Sequence, residues 1–392
     1  MYLNDEMTAY IGENLEELKQ LIRELAVIPA PSHHEELRAE FCEKWFRANG
    51  FEDVHTDEAL NVIAAYGVPA ARGPEASGRE RAGDRDIVAF SAHTDVVFPD
   101  TEPLPFREDA ERFYCPGVCD DTANLAVLMM AARYFVQRKI PAHCGMLFIA
   151  NSCEEGLGNL KGIREIVRTY GARMREHISF DGPSLRHVVA NAVGSHRYRV
   201  TVRTEGGHSY GAFGNRNAIR YLAGIIDSIY QIRVPDKEGT KTTYNVGTVE
   251  GGTSVNTIAQ EASMLCEYRS DDRECLRMME NAFAEIFDAY RAMGVEVEVE
   301  RVGERPCTGE VDPARHEELI ARMEDAVRAV GVEPLRMSSS TDCNIPLSAG
   351  IPASCIGVVT AEGCHTREEW VEIASLPVGM RLAMEVMGYY FD

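Results

Sequence analysis

The sequence predicts an α/β protein: a mostly parallel sheet flanked by helices, with a smaller α+β sandwich set into it. Two observations predict this. Mostly apolar runs, IVAFSA (87–92), GMLFIANS (145–152) and HISF (177–180), alternate with helix-patterned stretches, the signature of buried parallel strands joined by crossover helices. After about residue 193 the strands instead alternate polar and apolar residues, as half-exposed antiparallel strands do.

Residues 6–28 place Leu15, Leu18, Ile22 and Leu25 on one helical face. PAPSHH (29–34) breaks that helix, and 35–50 form a second one that stops at Gly50. FEDVHTDEALNVIAAYG reads as a strand pair, and the Gly/Arg-rich residues 71–86 as an exposed loop. A helix is expected over 124–139 and another around 160–171, between strands ending near Ser152 and at Asp181. Next come the strand SHRYRVTVRTE, a helix (217–233), the strands TTYNVGTVEGG and ASMLCEYRSDD, a helix (274–294) and the alternating strand 295–302. That order suggests an α+β sandwich over an antiparallel sheet. Apolar strand and helix runs resume after about 305, so the expected division is 1–193, an insertion at 194–304, and 305–392.

The net charge of −22, from 62 acidic against 40 basic residues, argues against nucleic acid as a partner, because that affinity rests on cationic contacts to phosphate. No apolar stretch approaches the ~20 residues that span a bilayer, so no membrane partner is expected. The acidic, helix-patterned N-terminus lacks the basic and apolar regions of a secretory signal. Eleven scattered Cys fit reduced thiols and a cytoplasmic location. Cys119, Cys153 and Cys364 each directly precede a candidate site residue, which leads us to expect sensitivity to oxidants.

Five separated segments point to one kind of chemistry: SAHTD with His93 and Asp95, GVCDD with Asp120 and Asp121, NSCEEG with Glu154 and Glu155, ISFDGP with Asp181, and GCHT with His365. Three directly follow the apolar runs, and parallel strands deliver such residues to one edge of the sheet. Alone, each has an ordinary explanation. HxD is a common surface turn, Asp120 and Asp121 precede a helix that either would cap, and Asp181-Gly182-Pro183 starts a turn. Glu154 and Glu155 are harder to dismiss. Adjacent carboxylates at the end of a buried strand repel each other, and a metal for one with a catalytic proton for the other resolves the conflict. Side chains two apart on a strand point the same way, so Asp95 is expected to support the His93 ring. Together these residues read as a metal centre with catalytic carboxylates.

In order, HxD, DD before a helix, EEG, a strand-end Asp, GGHS and a C-terminal HT resemble the M20 family of metallopeptidases over essentially the whole chain. SSSTDCNIPLSAGIPASCIGVV (338–359) and CHTREEWVEIASL add to the resemblance, and GGHSYGAFGNRNAI with GTVEGGTSVNTIA is most similar to the tripeptidase-like branch. The resemblance implies a di-metal exopeptidase fold whose insertion serves as lid and homodimerisation domain. It implies that Asp120 bridges two divalent ions, His93 and Asp181 completing one site, Glu155 and His365 the other. The ligand types suit zinc, with cobalt or manganese as alternatives. Glu154 would be the general base, Asp95 would orient His93, and the Asp120–Asp121 peptide would be cis. By the same resemblance His208 approaches the substrate carbonyl, and Asn256 and Arg269 contact substrate. The implied reaction is hydrolysis of short peptides from one end. An N-acyl-amino-acid amidohydrolase is the alternative. A non-catalytic metal-binding scaffold is a third reading, against which Glu154 counts, since a scaffold has no use for a base. Ser338-Ser339-Ser340 departs from the glycines many relatives carry there, which reduces that loop's backbone freedom.

Overall fold

The computed structural model describes residues 2–68 and 86–392. The exposed loop expected at 71–86 lies outside these apart from Asp86. The chain forms two compact units, Met1–Asn191 with Gly309–Asp392, and Ala192–Thr308.

Helix α1 (Asp5–Ala26) starts where the Asn4 side chain accepts the Met7 N–H, and it buries Leu18, Leu21, Ile22 and Leu25 on one face. Helix α2 (Glu36–Ala48) is followed by Gly50 at a φ of 94°, the left-handed conformation that ends helices. Strands β1 (Asp53–Thr56) and β2 (Val62–Tyr66) pair antiparallel. Strand β3 (Ile87–His93) is buried at every position. Helix α3 (Ala123–Gln137) is buried from Ala123 to Val136, as a helix that is apolar all round must be. Strand β4 (Gly145–Asn151), wholly buried, helix α4 (Lys161–Tyr170), strand β5 (Met174–Phe180) and strand β6 (His187–Ala192) follow.

The second unit holds β7 (Gly194–Arg203), the short β8 (Gly207–His208), α5 (Ala218–Tyr230), β9 (Thr242–Gly251), β10 (Thr257–Ile258), β11 (Glu261–Ser270), α6 (Arg273–Ala292) and β12 (Glu296–Arg305). Four of these strands form an antiparallel sheet in the order β9-β11-β7-β12. Its alternate residues Val200, Val202, Met264, Cys266, Tyr268 and Val297 share a core with Leu222 and Ile225 of α5 and Met279 and Phe283 of α6. The period-two pattern of β7, β11 and β12 is the consequence: one face packs under helices and the other does not. Strands β8 and β10 make a separate two-stranded ribbon.

On returning to the first unit the chain adds α7 (Pro313–Ala329), β13 (Leu335–Ser339), β14 (Ala353–Ile356) and α8 (Leu376–Gly388). The large sheet has eight strands in the order β1-β2-β4-β3-β5-β14-β6-β13. It is mixed. Its centre, β4-β3-β5-β14, is parallel, while β1, β2 and β6 join antiparallel. The short turn between β1 and β2 permits only an antiparallel hairpin. In the parallel centre His93 lies opposite Asn151, and Ser91 opposite Ser179, so β3, β4 and β5 all end at one edge. A smaller patch of Ala361–Glu362, Trp370–Glu372, Arg112–Tyr114 and Arg107–Glu108 holds the C-terminal segment beside residues 115–120. Among the described residues no helix is long and apolar enough to cross a membrane.

Candidate metal centre

The edge where β3, β4 and β5 end carries the ligand candidates. His93 is the last residue of β3, and its ring is fully buried. Its Nε2 lies 2.9 Å from Asp120 Oδ1. The other oxygen of Asp120, Oδ2, lies 3.1 Å from His365 Nε2, and that nitrogen is also 3.1 Å from Glu155 Oε1. One carboxylate therefore faces two imidazoles, one on each oxygen. Three groups offer ligand atoms mutually within 4.8 Å: His93 with Asp121 and Asp181, His93 with Glu154 and Glu155, and Asp120 with Glu155 and His365. The structure thus gathers His93, Asp120, Glu154, Glu155, Asp181 and His365, although they come from five separate segments.

Asp120 stands in a kinked turn, Val118–Thr122, where it and Asp121 leave helical geometry, and the peptide between them is cis. Gly117 opens the turn at a φ of 75°, where a Cβ would clash with Val96. Asp121 caps nothing. Its carboxylate accepts the His93 main-chain N–H at 2.9 Å and the Asn124 amide at 2.7 Å, so it fastens the turn to the end of β3. His365 adopts a φ of 65°, sparsely populated for a non-glycine residue.

The charges in this cluster are unbalanced. Burial pushes the Glu155 carboxyl up to about 7, with the Asp120 charge adding to it. Burial and then the Asp120 charge push Asp181 well above the carboxylate range. Asp120 itself is held below that range; its burial is outweighed by hydrogen bonds from His365 and His93. Those to Asp120 and Glu155 raise His365 to about 11. Burial alone would lower His93, yet Asp121, Asp120 and Asp95 carry it well above the usual imidazole value. Carboxyls that raise one another around imidazoles held cationic mark a site short of positive charge. Imidazoles interleaved with carboxylates are a donor set for divalent zinc, cobalt or manganese. The residues present therefore fit a pair of such ions.

Residues 89–388 match Peptidase family M20/M25/M40. The chain belongs to this family of hydrolases. In sequence it is 30% identical over 223 residues to acetylornithine deacetylase of Myxococcus xanthus, covering 54% of each chain. It spans little more than half the length of this and similar curated relatives. In structure it resembles a tripeptidase of Staphylococcus aureus, with a TM-score of 0.75, 20% identity, and 96% and 98% of the two chains covered. A dinuclear metal-binding M20 peptidase of Bacillus subtilis gives a TM-score of 0.63 at 16% identity, covering 97% and 99%.

Other residues support the M20 centre in ways the sequence did not announce. Asp95 meets the His93 ring through its main-chain carbonyl, 3.0 Å from Nδ1, while its carboxylate stands 3.4 Å away. That carboxylate instead accepts the main-chain N–H groups of Glu154 and Glu155, both at 2.9 Å, and the Ser32 hydroxyl at 2.6 Å. Asp95 thereby ties the end of β3 to the Glu154-Glu155 pair. Asp342, almost fully buried, accepts the Asn151 amide at 2.7 Å at the end of β4. Burial, with the Glu154 charge next, raises its carboxyl to about 7.

Glu369 was not anticipated at all. It is almost fully buried, and its carboxylate accepts the main-chain N–H groups of Gly117 at 3.0 Å, Cys119 at 2.7 Å and Asp120 at 2.9 Å. It clamps the turn that presents Asp120. Each buried N–H left unpaired costs about 1–3 kcal/mol, so Glu369→Ala is expected to lose at least ~3 kcal/mol of stability in urea unfolding. Glu369→Gln, which keeps a carbonyl oxygen, should lose less. A loss under ~1 kcal/mol for the alanine variant would contradict the clamp.

The remaining candidates lie in the second unit. His208 is exposed at the β8–β10 ribbon, opposite Thr257. Its Nδ1 accepts the main-chain N–H groups of Tyr210 at 3.3 Å and Gly211 at 3.2 Å. Asn256 adjoins the same ribbon, where its main-chain carbonyl accepts the Ser209 N–H at 2.9 Å and its side-chain oxygen accepts the Ser254 hydroxyl at 2.7 Å. Arg269 on β11 is held by Glu267 through bonds of 2.7 and 3.1 Å, so a substrate carboxylate would have to displace that partner.

Proposed function

We propose that the protein is a di-metal amide hydrolase that cleaves short peptides as an exopeptidase. The observation that carries this reading is Asp120, whose two oxygens each face a different imidazole, His93 and His365, with Glu154 gathered beside them. In this reading Asp120 would bridge two ions, with His93 and Asp181 holding one and Glu155 and His365 holding the other. When bound, such ions polarise a scissile carbonyl and make a water acidic enough to deprotonate near neutral pH.

The chain's own residues do the rest. Glu154 takes the proton of the attacking water on its carboxylate and returns it to the leaving amine nitrogen. Asp95 fixes the Glu154 main chain, so the base is held on the rigid end of β4. His208, Asn256 and Arg269 serve the substrate in this reading, Arg269 through a terminal carboxylate. The second unit serves as the lid and the homodimer contact, and the reduced thiols fit a cytoplasmic enzyme.

Peptides are favoured by the structural likeness to a tripeptidase over nearly the whole chain. The likeness to acetylornithine deacetylase favours the second reading, an N-acyl-amino-acid amidohydrolase. A panel of dipeptides, tripeptides and N-acetyl amino acids, offered to protein reconstituted with zinc, cobalt or manganese, separates them. The expected result is a kcat/KM for free peptides at least about tenfold above that for N-acetyl amino acids, a difference of ~1.4 kcal/mol in transition-state binding. Hydrolysis of the N-acetyl compounds alone would replace the first reading by the second.

A further inference from the structure

Two thiols flank the centre, and the proposed reaction uses neither. Cys119 immediately precedes Asp120 and is fully buried; Cys364 immediately precedes His365 and is half-exposed. They are 245 residues apart in sequence, yet their sulfurs lie 3.3 Å apart. We propose that Cys119 and Cys364 form a modification site: a dithiol that hydrogen peroxide converts to a disulfide, displacing His365. The displacement rests on the metal-centre reading above; the disulfide does not.

The chemistry follows from the exposure of the two sulfurs. Cys364, the accessible one, attacks a peroxide oxygen as thiolate. The O–O bond breaks, the departing hydroxide takes up a proton and leaves as water, and Cys364 becomes a sulfenic acid. The Cys119 sulfur then attacks the Cys364 sulfur. The S–S bond forms as the S–O bond breaks, and a second water leaves. Two thiols have lost two electrons and two protons, and one peroxide has become two waters.

The two sides of the pair are not equally free to move. Cys119 is pinned through its N–H by Glu369 and through its carbonyl by the Asn124 amide. Cys364 lies in a short turn, where the Thr366 N–H bonds the Gly363 carbonyl and Gly363 has a φ of 82°. A disulfide needs sulfurs ~2.05 Å apart, so closing from 3.3 Å moves them by about 1.2 Å. That motion falls on the Cys364 side and shifts the adjoining His365 relative to Asp120 and Glu155, its partners at 3.1 Å. A misplacement of about 1 Å at a reacting centre can cost ~10²-fold in rate.

The test uses zinc-loaded protein treated with stoichiometric hydrogen peroxide, alkylated, and digested without reduction. Mass mapping should show the Cys119 and Cys364 peptides joined and lighter by two hydrogens, and dithiothreitol should separate them. Peptidase activity should fall by about 10²-fold and return with the reductant, and a chelating dye should report zinc released on oxidation. Cys364→Ser and, as a second variant, Cys119→Ala should keep their untreated activity, form no link and show no reversible loss. Recovery of both cysteines individually alkylated, from protein that has consumed the peroxide, would overturn the site. A link without loss of activity or zinc would overturn its coupling to His365. If no peptide is a substrate, the link map and the zinc release still decide the proposal, so its failure is distinct from that of the peptidase reading.

Discussion

Replacing Glu154 by alanine is expected to lower kcat on the best peptide substrate by roughly 10²–10⁴-fold, the usual contribution of a positioned general base, while both metal ions stay bound. Glu154 and Glu155 are adjacent carboxylates with different surroundings. Glu155 approaches His365 at 3.1 Å and belongs with Asp120. Glu154 joins His93 and Glu155, but the reading assigns it the proton rather than an ion. Its main chain is fixed by Asp95, so truncating the side chain should leave the segment in place. Metal analysis alongside single-turnover kinetics checks both halves of the expectation. Retention of more than a few per cent of activity would move the base elsewhere; loss of an ion would make Glu154 a ligand.

Asp120→Ala should have the larger effect on the centre itself. Asp120 faces both His93, at 2.9 Å through Oδ1, and His365, at 3.1 Å through Oδ2. If it bridges two ions as proposed, its removal would delete a donor to each at once and leave Glu155 and Asp181, both already raised by burial, without the neighbour they share. Metal content is expected to fall below one ion per chain and hydrolysis to become undetectable. The loss of affinity should exceed the 10–100-fold usual for removing a group that only supports a ligand. Titration with zinc against a competing chelator measures it. Two ions held within tenfold of the original affinity would show that Asp120 does not bridge.

Much of this is legible in the sequence because of what parallel strands require. The runs that became β3, β4 and β5 are mostly apolar since both faces are covered, and the residue that ends each run must emerge at the same edge. His93, Glu154, Glu155 and Asp181 are found that way, before any family is considered. Asp120 and His365 are not at strand ends; they stand on turns, where their residue types made them candidates and only the ordered resemblance gave them ligand roles. The sheet margins were less readable. β6 and β13 are short and half-buried, and although β1 and β2 read as a strand pair, the antiparallel joining of β2 to β4 and of β6 to β14 leaves no trace in local composition.

What escaped the sequence has a common physical cause. Glu369 acts through main-chain N–H groups about 250 positions away, and main-chain donors carry no residue identity to match. Asp95 illustrates the same point from a residue that was noticed. Its spacing from His93 drew attention to its carboxylate and the ring; the carbonyl also takes the ring, and the carboxylate, 3.4 Å from the ring, also takes two N–H groups of the next strand's end. The cysteine pair shows the reverse. The two thiols stood out for preceding site residues, but only the fold brings Cys119 within 3.3 Å of Cys364.

A two-ion centre built on a shared Asp120 can be read from anomalous diffraction at the zinc edge, using crystals of zinc-reconstituted protein. Two peaks about 3.5–4 Å apart are expected, one against His93, Asp120 and Asp181 and the other against Asp120, Glu155 and His365. A single peak, or two peaks that share no Asp120 oxygen, would contradict it.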